Sequence, residues 1–278
     1  MSLAPMTTAV AHTLGDVYAR LTGLCEVLSV RVAEPGAADA GAGVSAAELV
    51  KDGAALDAFV AAETARIQDR HGVVARRHVA ASRALHEYVW SVSLLMSGAW
   101  YLERRVPRIR PEDLRLDLAT AEFTVAPGSD LACLADDPAA ALPGVLTVPH
   151  EEALRAELRA AVADHMAPLL DAIGPVARRG SRALWGMVSD DLVSGIWYLG
   201  RVLGREDEAV RAAGRLLPSA VVPYPSGADF RHLTTADGRR HPTRTRAGCC
   251  MYYAIRPDEA CATCPRTCDA ERLRRLEG

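Results

Sequence analysis

The sequence lacks several features that define common classes of protein. It has neither a G-x-G-x-x-G fingerprint after a predicted strand nor a P-loop, so we expect no pyridine dinucleotide or ATP bound through the usual motifs. Its net charge is only -3 and its basic residues are spread along the chain, so the sequence predicts no basic patch that would bind nucleic acid. The 278 residues are 50% hydrophobic, which is enough to bury a core and predicts a folded chain.

Long hydrophobic runs are also missing. The most apolar stretch, Val89 to Leu102, is too short to span a bilayer and adjoins charged residues, so it predicts a buried helix. The first ten residues have no charge before a mildly apolar stretch and no cleavage-type segment, which disfavours a signal peptide. We therefore expect a cytoplasmic protein without an integral membrane segment.

Helical periodicity dominates the rest of the chain. Ser45 and Glu48 form an S-x-x-E capping box at the start of one helix, and the Gly- and Ala-rich stretch 34–44 before it predicts a loop. The apolar spacing predicts helices over Thr7–Val32, Ser45–Arg70, Arg76–Arg104, Glu151–Ile173, Ser181–Leu203 and Glu206–Leu217.

Two stretches depart from the helical period. Leu114 to Val125 alternates apolar and polar residues, which predicts a small β-hairpin, and Ser219 to Gly248 predicts a long loop with short strands. The fold class is therefore α+β, mainly α-helical, with a small β-hairpin and a short cysteine-rich C-terminal module. We expect a mainly helical body over 1–245 and the module over 246–278.

Cysteine is concentrated at the C-terminal end. In a reducing compartment structural disulfides are not expected, so clustered cysteines indicate a metal or redox role. Five of the seven lie between 249 and 268, whereas Cys25 and Cys133 stand alone and are predicted to be packing residues. Thiolates suit iron–sulfide cores, and a binuclear cluster needs four of them, two on each iron.

The spacing of the terminal cysteines constrains the local backbone. Neighbouring side chains in an extended segment point to opposite faces, so the pair Cys249 and Cys250 requires a bend, which Gly248 would permit. Pro265 is predicted to be the first residue of a terminal helix that runs to Leu276. Cys264 would then be the N-cap residue and would lie near the positive end of the helix dipole. Nearby cations would also favour the reduced, more negative cluster; the candidates are Arg244, Arg246, Arg256 and Arg266.

These residues resemble a known family. The segment GCCMYYAIRPDEACATCPRTC, with the pattern C-C-x10-C-x2-C, resembles the FhuF-like ferric-siderophore reductases, whose terminal segment binds a 2Fe-2S cluster. The stretch Arg178 to Gly200 is similar to that family's Arg-x-Leu-Trp-Gly helix. The resemblance implies that a 2Fe-2S cluster is bound by Cys249, Cys250, Cys261 and Cys264.

The resemblance also implies an activity, the one-electron reduction of Fe(III) held by a siderophore of the hydroxamate type, with release of Fe(II) in the cytosol. Hard hydroxamate oxygens hold Fe(III) far more tightly than Fe(II), so one electron loosens the complex. Because the chain has no nucleotide motif, the electron must come from an external donor such as a ferredoxin or a flavoprotein.

Other readings of the cysteines stay open. Cys268 completes C-x2-C-P-x2-C and could replace a ligand, although on a helix it would share a face with Cys264 and serve as a neighbour of the cluster. A structural zinc tail closing a non-enzymatic binding module is possible on spacing alone, but the adjacent pair is a poor zinc knuckle. An electron-transfer or redox-sensing protein without a siderophore substrate would share the same cluster.

Other polar and aromatic residues receive structural interpretations. His232 and His241 precede the cysteines and are expected to make ordinary loop hydrogen bonds, since four cysteines suffice as ligands. Asp190 and Asp191 are adjacent on a predicted helix and do not face each other, so no acid–base pair is expected. Aromatic residues usually lie in the core, and we expect this of Trp185, Trp197, Tyr198, Tyr252 and Tyr253. The alternative for Tyr252 or Tyr253 is a patch where a siderophore docks.

Overall fold

The computed structural model describes residues 4–34 and 43–277. Within these ranges it contains the helices α1 Ala4–Leu24, α2 Ala46–Lys51, α3 Gly53–His71, α4 Arg77–Glu103, α5 Glu151–Ala177, α6 Ser181–Val202, α7 Glu206–Leu216 and α8 Asp269–Glu277. Its strands are β1 Val30–Val32, β2 Val44–Ser45, β3 Arg105–Pro107, β4 Leu114–Leu116, β5 Phe123–Val125, β6 Leu131–Leu134, β7 Leu146–Val148, β8 Arg231–Thr234 and β9 Arg240–Thr243. Helix accounts for 56% and strand for 12%, which confirms the mainly helical α+β class.

The chain divides into two compact units, and the divisions fall inside α3, α4 and α5. One unit comprises Met1–Ala62 and Ser91–Ala172, and the other comprises Glu63–Trp90 and Ile173–Gly278. The cysteine-rich tail belongs to the second unit, together with α6 and α7. The separation of a body over 1–245 from a module over 246–278 stays a prediction.

The first unit contains the small sheets. One sheet has the strand order β1-β5-β4-β2, and the other has the order β3-β6-β7. In the first sheet β4 pairs with β5 antiparallel, and Leu114 lies opposite Val125. The hairpin that alternation predicted over 114–125 is therefore confirmed. Apolar side chains of both strands are buried, as a strand with one face in the core requires.

The second unit is organised around α6. Fourteen of its residues are buried, from Leu184 through Gly200, so most of its circumference lies in the interior. The strands β8 and β9 form an antiparallel hairpin inside the predicted long loop, with His232 opposite Pro242. The cysteine-rich tail and α8 follow this hairpin in the chain.

Several boundaries differ from those that the sequence predicts. The first helix ends at Leu24, and the β-branched residues Val30 and Val32 pair with β5 instead. The capping box of Ser45 and Glu48 is confirmed, but its helix is only six residues long, because Asp52 is extended and its side chain accepts the amide of Ala54 at 2.8 Å. Most of the predicted loop at 34–44, residues 35–42, lies outside the described residues.

Among residues 4–34 and 43–277, no helix combines the length and the apolar character that crossing a membrane requires.

Candidate metal centre

The four cysteines of the predicted ligand set line one small cavity in the second unit. Cys249, Cys250, Cys261 and Cys264 are brought together there, although ten residues separate the two pairs in the sequence. The same wall includes Arg246. Cys250 and Cys264 are buried and Cys249 and Cys261 are half-buried, whereas Cys268 is exposed and does not line the cavity.

The backbone turns twice to bring these thiols together. Met251, directly after the first pair, takes the left-handed conformation with φ 62°, and the chain continues as a 3-10 turn over Tyr252–Ala254. The amide of Cys264 donates to the carbonyl of Cys261 at 2.9 Å, which closes the C-x2-C segment into a tight turn. A bend at the first pair was expected from Gly248, but the residue with positive φ is Met251.

Gly248 has a different function, which is close approach to α6. A Cβ on Gly248 would lie 2.6 Å from the amide nitrogen of Met187 and 2.8 Å from its Cα, distances that no side chain can adopt. On the other side of this contact a Cβ on Gly186 would lie 3.3 Å from the carbonyl carbon of Ala247. Two glycines thus let the backbone before the cysteine pair lie directly against the helix.

Asp190 fixes this contact from within α6. Its carboxylate is fully buried and accepts a hydrogen bond from the guanidinium of Arg244 at 2.6 Å. It also accepts the backbone amides of Ala247 at 3.1 Å and Gly248 at 2.6 Å. Burial raises the pKa of Asp190, and the charges of Arg244 and Arg246 oppose that rise. The segment that leads into the cysteine pair is therefore held by one buried carboxylate.

Asp191 is also fully buried but contacts a different set of groups. Its carboxylate pairs with the guanidinium of Arg246 and lies 2.7 Å from His86 Nδ1 on α4. Burial alone would raise the pKa of Asp191, but the charges of His86 and Arg246 outweigh it and hold the pKa below its usual value. Adjacent helical residues point about 100° apart, so the two aspartates serve two sets of partners.

Sequence reasoning rejected an acid–base pair at Asp190 and Asp191 but missed this role. The signal was available in the sequence, because two carboxylates interrupt an otherwise apolar helix face. A buried carboxylate needs a cationic or hydrogen-bonding partner, and an arginine-rich stretch, 244–246, lies just before the cysteines. The identity of the partners, including His86, depends on long-range packing and could not be read from spacing.

Positive charge also surrounds the thiols. The pKa of Cys250 lies well below the usual value for a thiol, first because Cys261 donates a hydrogen bond to it and then because His86 and Arg83 stabilise the thiolate. The pKa of Cys261 is raised correspondingly, because it keeps the shared proton. Arg83 and His86 therefore place positive charge beside a thiol of the cavity.

Arg246 links the aspartates to the cavity. It is buried, lines the cavity wall and bears electrostatically on Cys250 and Cys261. One of its guanidinium nitrogens donates to Asp191, and its Nε lies 3.7 Å from a carboxylate oxygen of Asp190. A buried guanidinium at the wall places positive charge beside the four thiols, which fits an anionic iron–sulfur cluster.

The number and type of donors in the cavity match a binuclear cluster. Such a cluster takes two cysteine ligands on each iron, four in all, and four cysteines line the cavity. Thiolates are the ligands that iron–sulfide cores prefer, so the donor set fits a 2Fe-2S cluster.

The terminal helix begins later than predicted. It starts at Asp269, and the carbonyl of Cys268 accepts the amide of Arg272 at 3.1 Å, so Cys264 is not an N-cap. The amide of Thr267 donates to the carbonyl of Cys264 at 3.1 Å, a turn that delays the helix. The prediction that the dipole of the terminal helix acts on Cys264 is thus wrong. Instead, the buried guanidinium of Arg272 donates to the Cys264 carbonyl at 2.9 Å.

The arginines expected beside the cysteines are distributed unequally. Of the four named from the sequence, Arg246 lines the cavity, whereas Arg244 is buried against Asp190. Arg256 is exposed and pairs with Glu259, which keeps its charge outside the cavity wall. The guanidinium of Arg266 lies 4.1 Å from the ring centre of Tyr253.

Two aromatic rings stand at the cavity rather than in the core. Tyr252 and Tyr253 both line it and are half-buried, so the core interpretation is wrong for these two residues. Arg83 lies 5.2 Å from the ring centre of Tyr252. Each ring therefore has a cation within reach of one face.

The comparison with known proteins decides which group the cavity suits. Residues 246–266 match the family model of the FhuF 2Fe-2S C-terminal domain. The FhuF-type segment contains all four cysteines of the cavity, and Cys268 lies just beyond it. The resemblance drawn from the cysteine pattern and the 2Fe-2S cofactor are thereby confirmed. No curated protein matches the chain.

The glycine contact generates a first prediction. Gly248→Ala should destabilise the fold by about 1–3 kcal/mol and lower the iron bound per chain, because the new Cβ meets rigid backbone of α6. Gly214→Ala on α7 is the matched control, since nothing lies within 4 Å of its added Cβ. Urea unfolding and iron analysis measure both quantities. An alanine variant at 248 as stable and as loaded as the parent chain would contradict this account.

Proposed function

We propose that the protein is a ferric-siderophore reductase, which passes single electrons through a 2Fe-2S cluster ligated by Cys249, Cys250, Cys261 and Cys264. The observation that supports this best is the convergence of these four thiols on one cavity within the FhuF-type segment. The substrate would be Fe(III) held by a siderophore, of the hydroxamate type, and the product Fe(II) released in the cytosol.

The chemistry of the proposed reaction is simple. A bound 2Fe-2S cluster supplies a one-electron couple, and the transfer to the ferric chelate makes and breaks no covalent bond in the protein. Oxygen ligands bind the harder Fe(III) more strongly than Fe(II), so reduction itself weakens the chelate. The protein's task is to hold the ligands still, to set the local charge and to present a face to the chelate.

Tyr252 and Tyr253 provide that face. Their rings are half-buried at the cavity, and a siderophore backbone could pack on them while the iron centre faces the cluster. The hydroxyl of Tyr252 lies 3.2 Å from Glu259, to which it donates, so this ring has a fixed orientation. A siderophore would therefore meet a preformed aromatic surface next to the thiols.

The electron must enter from outside the chain. The sequence carries none of the usual nucleotide-binding motifs, so a separate protein such as a ferredoxin or a flavoprotein would act as donor. A one-electron cluster suits either donor, since both deliver electrons singly.

A turnover experiment tests the proposal. The anaerobically purified protein should be red-brown, bleach on reduction by dithionite and regain its colour when ferrioxamine B is added, with Fe(II) trapped by ferrozine in equal amount. Gallium-loaded ferrioxamine, which cannot be reduced, is the control and should leave the reduced spectrum unchanged. A cluster that reduces no ferric siderophore would indicate an electron-transfer or sensing protein, and a colourless protein holding zinc would refute the cluster.

The ligand set gives a separate prediction. Cys264→Ser should remove or severely destabilise the cluster, because it deletes a buried thiol of the cavity, and iron content with the EPR spectrum of the reduced protein would report the loss. Cys268→Ser is the matched control, since this exposed thiol lies outside the cavity wall. If Cys268→Ser erased the spectrum while Cys264→Ser kept it, the ligand assignment would be wrong.

Arg246 is expected to raise the reduction potential. A cation at the cavity wall stabilises the reduced, more negative cluster, so Arg246→Gln should lower the potential by about 60 mV, the one-electron equivalent of about 1.4 kcal/mol. Arg246→Lys keeps the charge and should restore most of the potential. Arg256→Gln, at an exposed residue outside the wall, should change it little. Redox titration followed by EPR measures all three, and equal potentials would contradict the assignment.

A further inference from the structure

The terminal helix α8 lies outside the FhuF-type segment but contacts the metal centre through one buried side chain. The segment ends at residue 266, and α8 begins at Asp269. Arg272, the fourth residue of α8, is only 3% exposed, although arginines are almost never fully buried unless they are paired. The partners of this buried cation therefore indicate what it does.

The guanidinium of Arg272 connects the two segments that carry the cysteines. Its Nη2 donates to the carbonyl of Cys264 at 2.9 Å. Its Nη1 donates to the hydroxyl of Thr245 at 3.2 Å, and Thr245 lies shortly before Cys249 in the chain. Because the two cysteine pairs come from separate segments, this side chain forms a bridge between them.

A backbone contact places the same two segments side by side. The amide of Arg246 donates to the carbonyl of Thr263 at 3.1 Å, and both residues are direct neighbours of the two that Arg272 joins. The bridge and the backbone hydrogen bond thus hold the segments in one register. A binuclear cluster needs four thiolates at fixed separations, two on each iron. Movement of one segment relative to the other would change those separations.

The helix that carries Arg272 is anchored near both of its ends. At its first residue, Asp269 accepts two hydrogen bonds from Arg231 of β8, each at 2.7 Å. At its last residue, Glu277 accepts the amide of Ala236 at 2.8 Å. A helix of nine residues is not stable alone in water, so these contacts with the β8–β9 hairpin keep Arg272 in place.

Arg272 also brings positive charge to the turn that carries Cys264. Its Nη1 lies 3.3 Å from Asp269, but this carboxylate is shared with Arg231. Two guanidinium groups and one carboxylate leave one excess positive charge among the three residues. A reduced cluster is more negative than an oxidised one, so a buried cation that is hydrogen-bonded to the backbone of a ligand favours reduction.

We propose that Arg272 is a positioning residue of the metal centre, acting through the carbonyl of Cys264 and the hydroxyl of Thr245. It holds the two cysteine-bearing segments together and raises the reduction potential of the cluster. The metal centre would thus extend beyond the FhuF-type segment into α8. This inference rests on the cluster of the proposed function and is independent of the siderophore substrate.

Three variants test the charge of Arg272. Arg272→Gln removes the charge and should make reduction of the cluster about tenfold less favourable, which corresponds to about 59 mV for one electron. Arg272→Lys keeps the charge and should restore most of the potential. Arg274→Gln is the matched control, because it removes the same charge from an exposed position of α8 that pairs with Glu271, and it should leave the potential unchanged. Redox titration followed by EPR measures all of them.

Thr245→Val tests the bridge without a change of charge. Valine is similar in size but cannot accept the hydrogen bond of Arg272, nor the longer one of 3.4 Å from Arg231. The oxidised cluster should therefore be lost to EDTA about three to ten times faster, the effect of about one hydrogen bond, while the potential stays close to that of the parent chain. The decay of the visible absorbance gives the rate, and an unchanged rate would overturn the bridge.

The outcomes distinguish this inference from the reductase proposal. If the parent chain holds a cluster, an Arg272→Gln variant at the parent potential, or an Arg272→Lys variant as low as Arg272→Gln, would overturn the role of Arg272 alone. An Arg272→Gln chain that folds by circular dichroism but keeps no cluster, beside a loaded Arg272→Lys chain, would support it. A parent chain without an iron cluster would overturn the proposed function, and this inference with it.

Discussion

The buried carboxylates of Asp190 and Asp191 are the constraint on which the rest of the site depends. Two anions cannot remain in a dry interior without partners, and removing one partner of a buried pair costs about 3–5 kcal/mol. Their partners are Arg244 and Arg246, which lie just before the cysteine pair, and His86 on α4. Because the two carboxylates of α6 need these partners, residues 244–248 pack against the helix, and this contact fixes the position of Cys249.

This arrangement also determines the charge that the cavity experiences. Arg246 pairs with Asp191 and lies close to Asp190 while it also lines the cavity, so the same side chain anchors the segment and brings positive charge to the site. Arg83 and His86 further favour the thiolate of Cys250. An electron added to such a site meets groups that are already oriented, and little rearrangement is needed to accommodate it.

Local rules predicted the parts of the structure that depend on local interactions. The capping box at Ser45, the hairpin at 114–125 and most helix spans follow from side-chain periodicity and caps, and all were predictable. The start of α8 was not predictable. Pro265 favours a helix that begins at residue 265, but in the folded tail a turn between Cys264 and Thr267 takes its place. The buried ion pairs join residues more than fifty positions apart, which no spacing rule connects.

The α6 stretch and the cysteine segment lie on the two sides of one contact. The Arg-x-Leu-Trp-Gly stretch places Gly186 where α6 meets the tail, and the cysteine motif begins with Gly248, whose backbone lies against Met187. A segment as short as 246–266 cannot bury enough surface to fold alone, and small metal-binding segments without a body depend on their metal for structure. Here α6 supplies that support through Asp190, which accepts the amides of Ala247 and Gly248. The helix is thus part of the metal centre, even though it contributes no thiol.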